Sequence, residues 1–360
     1  MAELTLRQLL DEMVARRASD LHITAGAPPE MRIDGAITPS EYEVLTPDKC
    51  TALTYSVLSD EQRKRFETTK ELDFSFGVKN LSRFRANVFL QRGVVTMAIR
   101  QIPYEITPMD KLGLPQVVRD FTNRQKGLVL ITGPTGSGKS TTLAAMLDKI
   151  NATRQSHIMT IEDPIEYIHH HKKCIVNQRE IGADTNSFPT ALKHVLRQDP
   201  DVILIGEMRD LETIEAALTI AETGHLVFAT LHTNSTYEAV NRIVDVFPSD
   251  QQKQILTQLA FTLEGVMTQQ LVPRSHSTGR VMCTEVLVCT PAIKATIREG
   301  KVHQIYSLMQ AGQKYGMQTM NQALLQAVLD KHLTPEDALD RSMDRVELDG
   351  MLQKVLRSAA

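Results

Sequence analysis

Apolar residues recur first at helical and then at alternating spacing. After Thr5, a residue type suited to capping a helix, Leu6, Leu9, Leu10, Met13 and Val14 form the stripe of an amphipathic helix. Leu21 and Ile23 alternate with His22 and Thr24, Met31 and Ile33 follow, and Asp34-Gly35 predicts a hairpin turn. Leu72, Phe74, Phe76 and Val78 alternate with Asp73, Ser75 and Gly77, and Phe84, Ala86 and Val88 with Arg83, Arg85 and Asn87. With helix-like segments from Pro47 to Lys70, residues 1–101 read as a small α+β domain on an antiparallel sheet. Two prolines between Ile102 and Pro108 predict an extended linker within residues 102–112.

From Gly127 the pattern changes to short apolar runs separated by helical stretches. It predicts strands at 128–132, 157–161, 202–205, 226–230 and 281–287, in a mostly parallel sheet covered on both faces. The fold class is therefore α/β, with a core over residues 113–289. A helical region, 290–360, follows: Thr290-Pro291 opens one helix, Gly300 closes it, and Thr334-Pro335 opens another.

Composition narrows the function. The 360 residues are 42% hydrophobic, enough for two or three domains with ordinary cores. Runs such as Leu128-Val129-Leu130-Ile131 fall far short of the roughly 18 apolar residues of a membrane span. Met1-Ala2-Glu3-Leu4-Thr5 has no secretory pattern, so a cytoplasmic protein without a direct membrane span is expected. Cys50, Cys174, Cys283 and Cys289 include no C-x-x-C pair and read as reduced thiols. A net charge of -3 and the lack of Trp speak against nucleic acid as a partner.

The chemistry centres on Gly133-Pro134-Thr135-Gly136-Ser137-Gly138-Lys139-Ser140-Thr141, which follows a predicted strand and opens a predicted helix. Such a loop wraps backbone N–H groups around a polyphosphate. Lys139 would reach the β- and γ-phosphates of ATP, and Ser140 would ligate Mg²⁺. Two acidic regions are candidates to complete the site. Val202-Ile203-Leu204-Ile205-Gly206-Glu207 ends an apolar strand in a carboxylate, and Thr160-Ile161-Glu162-Asp163-Pro164-Ile165-Glu166 ends another. Glu162, Glu166 and Glu207 are all candidate general bases; we expect Glu162 to orient water and Glu207 to reach the metal shell. His232, at the end of Leu226-Val227-Phe228-Ala229-Thr230-Leu231, is either a γ-phosphate sensor or a structural hydrogen-bonder. The run His169-His170-His171-Lys172-Lys173 reads as a solvated loop.

If Arg92-Gly93 is a two-residue turn, residues whose numbers sum to 185 face each other, and Arg85 lies opposite Arg100. Facing like charges are destabilising. Either an anion such as a γ-phosphate sits between them, or both are solvated.

In these motifs the sequence resembles the secretion and pilus motor ATPases, most closely the PilT-type retraction ATPases of type IV pili. Residues 18–29, Ala18-Ser19-Asp20-Leu21-His22 onward, resemble the family's opening motif, and Gly133 to Thr141 its Walker A. Ile161 to Glu166 resembles its Asp box, Asp199 to Glu207 its Walker B, and Thr223 to Thr233 its His box. The resemblance implies a PAS-like N-terminal domain, a RecA-like P-loop ATPase core with a helical C-terminal region, and a homohexamer driving pilus retraction and twitching motility. It also implies that Arg85 and Arg100 reach the nucleotide, and that an inner-membrane pilus platform protein recruits the ring to the pilus base. Pilus-assembly and type II secretion relatives carry a four-cysteine zinc module and a long N-terminal extension that this sequence lacks, so retraction is expected and those activities are the alternative. Ala292-Ile293-Lys294-Ala295-Thr296-Ile297-Arg298-Glu299 resembles the retraction signature but departs at Lys294, Ala295 and Thr296, which keeps an accessory retraction paralog as a further alternative.

Overall fold

In the computed structural model, which describes residues 4–33, 35–102 and 105–359 (backbone only for 356–359), the chain divides into two units. Met1–Glu105 with Glu166–Ile168 make the first, and Ile106–Ile165 with His169–Ala360 the second. Asp34 of the expected turn, Pro103 and Tyr104 of the expected linker, and Met1, Ala2 and Glu3 lie outside the described residues.

The first unit starts where Thr5 and Gln8 exchange side-chain and backbone hydrogen bonds, a capping box that fixes the start of α1 (Leu6–Ala15). Leu6, Leu9, Leu10 and Met13 are buried, as their spacing predicts. Three short strands follow, β1 (Asp20–Ile23), β2 (Glu30–Ile33) and β3 (Ala36–Pro39), then α2 (Pro47–Tyr55) and α3 (Asp60–Thr69). The long strands β4 (Glu71–Val78), β5 (Ser82–Gln91) and β6 (Val94–Ile102) complete the unit. The sheet order is β3-β2-β1-β6-β5-β4, and every neighbouring pair is antiparallel. Between β5 and β6, Arg92 (φ 50°) and Gly93 (φ 79°) are both left-handed, as a type I′ turn requires. That turn sets Gln91 opposite Val94 and Arg85 opposite Arg100.

The second unit opens with α4 (Gln116–Phe121), β7 (Gly127–Thr132), α5 (Lys139–Thr153), β8 (His157–Glu162) and β9 (Ile175–Glu180). Next come α6 (Phe188–Val195), β10 (Val202–Ile205), α7 (Leu211–Glu222), β11 (Leu226–Leu231), α8 (Thr236–Asp245) and α9 (Gln252–Thr262). The hairpin β12 (Leu263–Pro273) and β13 (Arg280–Val288) precedes α10 (Pro291–Arg298), α11 (Ile305–Gln310), α12 (Met320–Leu329), α13 (Pro335–Arg341) and α14 (Arg345–Ala359). Thr290 and Thr334 cap α10 and α13 with their hydroxyls, and a proline begins each helix.

The second sheet runs β13-β12-β7-β11-β10-β8-β9, parallel except for β13. Every residue of β7 is buried. Leu128 and Leu130 pack on one face with α6 to α10, while Val129 and Ile131 pack on the other with α4 and α5. Near-continuous apolar strands are what a sheet covered on both faces needs. The hydrophobic pattern missed β9 and β12. β9 is an edge strand with Ile175 61% exposed, and β12 starts directly after α9 with polar Thr268, Gln269 and Gln270 inside it. No helix among the described residues is long and apolar enough to cross a membrane.

Candidate active site

The order β7-β11-β10-β8 brings four parallel carboxyl ends side by side. Thr132 lies level with Leu231, Ala229 with Ile205, and Ile205 with Ile161. The segments following these strands carry the phosphate loop, His232, Glu207 and Glu162. Ligands of open α/β sheets bind at this edge.

Gly133 leaves β7 with φ 136°, and a Cβ there would stand 2.4 Å from the Gln269 carbonyl oxygen and 2.8 Å from Ser137 Oγ. Only glycine fits. The loop ends at Gly138, the N-cap of α5, which has no side chain to cap the first turn. The helix N-terminus thus presents backbone N–H groups and the positive end of its dipole, which suits a phosphate. Lys139 Nζ lies over the loop, donating to Gly133 O at 2.8 Å and Pro134 O at 3.1 Å.

Three contacts pin the neighbouring segments. Gly206 N–H donates to Ile161 O at 2.8 Å, Thr230 Oγ1 to Gly206 O at 2.5 Å, and Met208 N–H to Thr230 O at 3.1 Å. They fix Glu207 between β8 and β11. Its carboxylate pairs with Arg209 Nη2 at 2.7 Å and lies 3.4 Å from His232 Nε2. Burial acts to raise its pKa, but the Arg209 hydrogen bond and charge, with His232 and Lys139, outweigh it and hold the carboxyl below its ordinary value. An ionised oxygen donor there, like the Ser140 hydroxyl, suits a hard cation such as Mg²⁺. Among the described residues no group of three or more His, Cys, Asp or Glu could hold a metal, so such a cation would take most of its oxygens from phosphate and water.

Glu162 Oε1 accepts from Thr160 Oγ1 at 2.6 Å and Gln178 Nε2 at 3.2 Å, which fixes its carboxylate at the β8 end. Glu166 is grouped with the first unit rather than the second. His169 is buried and held neutral, its pKa lowered to about 4 by burial, and His171 Nδ1 accepts from Val176 N–H at 3.0 Å. Cys50, Cys174, Cys283 and Cys289 are buried free thiols.

In the first unit each facing arginine lies beside a carboxylate, and Asp20 also lies 3.7 Å from Arg32 Nε. Arg100 Nε donates to Asp20 Oδ1 at 2.8 Å, and Arg85 Nη2 lies 3.9 Å from Asp73 Oδ1. Burial acts to raise the pKa of Asp20, but hydrogen bonds from Ser19 and Arg100 and the Arg100 charge prevail and lower it. Both guanidinium groups remain substantially exposed beside these carboxylates.

Sequence reasoning missed Arg209 and Gln269. Arg209 is two residues past the strand-end acid, a signal visible in the sequence. Gln269 reaches the loop from a strand 132 residues away, which no local pattern reports.

A mostly parallel sheet with a phosphate loop after β7 and a paired carboxylate after β10 defines a P-loop nucleotide-binding protein. The chain belongs to the type II/IV secretion system protein family, whose model matches residues 1–341. It is 47% identical to the type IV pilus retractation ATPase PilT of Pseudomonas aeruginosa, over 94% of this chain and 98% of that protein. With the type IV pilus ATPase PilU of the same organism it shares 44% identity, over 92% of this chain and 87% of that one. A crystal structure of the pilus retraction motor PilT with bound ADP superposes with a TM-score of 0.91 at 52% identity, covering 96% of this chain and 99% of that one.

Proposed function

We propose that this ATPase is a homohexameric motor that retracts type IV pili and so drives twitching motility, working at the cytoplasmic side of the inner membrane on a pilus platform protein. The observation that carries the reading is the near full-length match to a solved retraction motor with bound ADP. ATP with Mg²⁺ supplies the phosphoanhydride and the cation that spreads its charge. Backbone N–H groups of the loop and Lys139 hold the phosphates. Ser140 and Glu207 would hold the cation, Glu162 would orient the attacking water, and His232, 3.4 Å from Glu207, would sense the γ-phosphate. Arg85 and Arg100 offset transition-state charge, as arginines do in phosphoryl transfer. The likeness to PilU supports a second reading, an accessory retraction ATPase.

Purified protein should hydrolyse ATP only with Mg²⁺. Glu207→Gln should lower kcat by roughly 100-fold with ADP affinity within about threefold of wild type. Hydrolysis independent of Mg²⁺, or full turnover in Glu207→Gln, would refute the assignment.

A further inference from the structure

Gln269 is fully buried on β12, one residue past the level of Thr132 where β7 gives way to the phosphate loop. Its Nε2 donates to Ser137 O at 2.6 Å, and its Oε1 accepts from Thr142 Oγ1 at 3.0 Å. The orientation of the amide follows from chemistry: a carbonyl oxygen only accepts, so Ser137 must face the NH₂ end, whereas the Thr142 hydroxyl can serve either end. One side chain thus ties the loop, at Ser137, to the first helical turn behind it, at Thr142. Both partners are buried and the contact carries no net charge.

In a trans peptide the carbonyl and the following N–H point in opposite directions. Drawing Ser137 O back toward β12 therefore turns the Gly138 N–H the other way, to the side from which a phosphate would be bound. We propose that Gln269 is a positioning residue for the nucleotide: it fixes the Ser137–Gly138 peptide plane so that this N–H stays aimed at the phosphates. It touches no reacting atom and acts through the loop. Without it, Ser137 O would be a buried acceptor that has lost its donor among the described residues, and the peptide would rotate to find another. The binding-competent loop would then be a minor conformer, and nucleotide affinity would fall by the fraction lost. The inference rests on reading Gly133 to Thr141 as the nucleotide cradle.

The test compares full-length wild type with Gln269→Met, Gln269→Leu and Lys139→Ala, measuring ADP affinity by calorimetry, KM and kcat for ATP, and the nucleotide-free melting temperature. Met keeps the length and, through its thioether, a weak acceptor for Thr142 but has no donor for Ser137, so it carries the test even if Leu fails to fold. Both Gln269 variants should bind ADP roughly 10-fold or more weakly, with a matching rise in KM and kcat within about threefold. Gln269→Met with Kd and KM within about twofold of wild type, whatever its melting temperature, would overturn the positioning role. If Lys139→Ala binds ADP like wild type, the cradle reading itself fails; if it loses ADP while the Gln269 variants keep it, this inference alone fails.

Discussion

Gly206→Ala tests the convergence of the two acidic segments. A Cβ at residue 206 would stand 3.2 Å from Glu162 Cα and 3.3 Å from Ile161 O, both backbone atoms. Carbon contacts are most favourable at about 3.5–4.0 Å, so the segments would part by roughly 0.3–0.5 Å. Residue 206 has no left-handed φ, so alanine adds no torsional strain there. The stability cost should be about 1–2 kcal/mol, read from urea unfolding. Catalysis should suffer as well, because the shift moves Glu162 against Glu207 and a misplacement near 1 Å can cost about 100-fold. We expect kcat to fall roughly 4- to 10-fold with ADP affinity nearly unchanged, since the phosphate loop is on another segment. A well-folded variant with kcat within about twofold of wild type would refute the claim that the spacing of these acids matters.

Other substitutions probe the frame. Glu285, buried on β13, accepts from Thr236 N–H at 2.7 Å, Thr236 Oγ1 at 2.8 Å and Met320 N–H at 3.3 Å, joining the starts of α8 and α12. Glu285→Ala strands these donors and should cost about 3 kcal/mol in urea unfolding; a loss below about 1 kcal/mol would contradict that role. Asp20, its pKa lowered in the fold, stabilises the protein above the unfolded carboxyl value of about 3.9, and this contribution disappears as pH falls through the lower folded value. The melting-temperature gap between wild type and Asp20→Asn should therefore narrow below about pH 4, and a constant gap would refute the linkage.

The parts legible in the sequence were those with local causes. Thr5 with Gln8, Arg92-Gly93, and the apolar runs of β7, β10 and β11 each dictate their element from a few neighbouring residues, and the turn alone set the Arg85–Arg100 register. The loop and strand-end acids were legible because their chemistry needs particular residue types at particular places. What escaped depends on distant partners. Asp20 pairs with Arg100 from a strand 80 residues away, a partner that the two facing arginines do not reveal. β12 hid behind its polar residues because Gln269 and Thr268 are buried against the loop and β7, with Thr268 Oγ1 2.6 Å from Thr132 Oγ1. Polar residues that satisfy one another inside a core erase the pattern by which a strand is recognised.

The central claim is that the phosphate loop powers pilus retraction, and the most direct test is deletion of the gene followed by rescue with wild type or with Lys139→Ala. The account predicts cells with excess surface pili and no twitching, restored by wild type and not by Lys139→Ala. Bald cells, or twitching restored by Lys139→Ala, would contradict it.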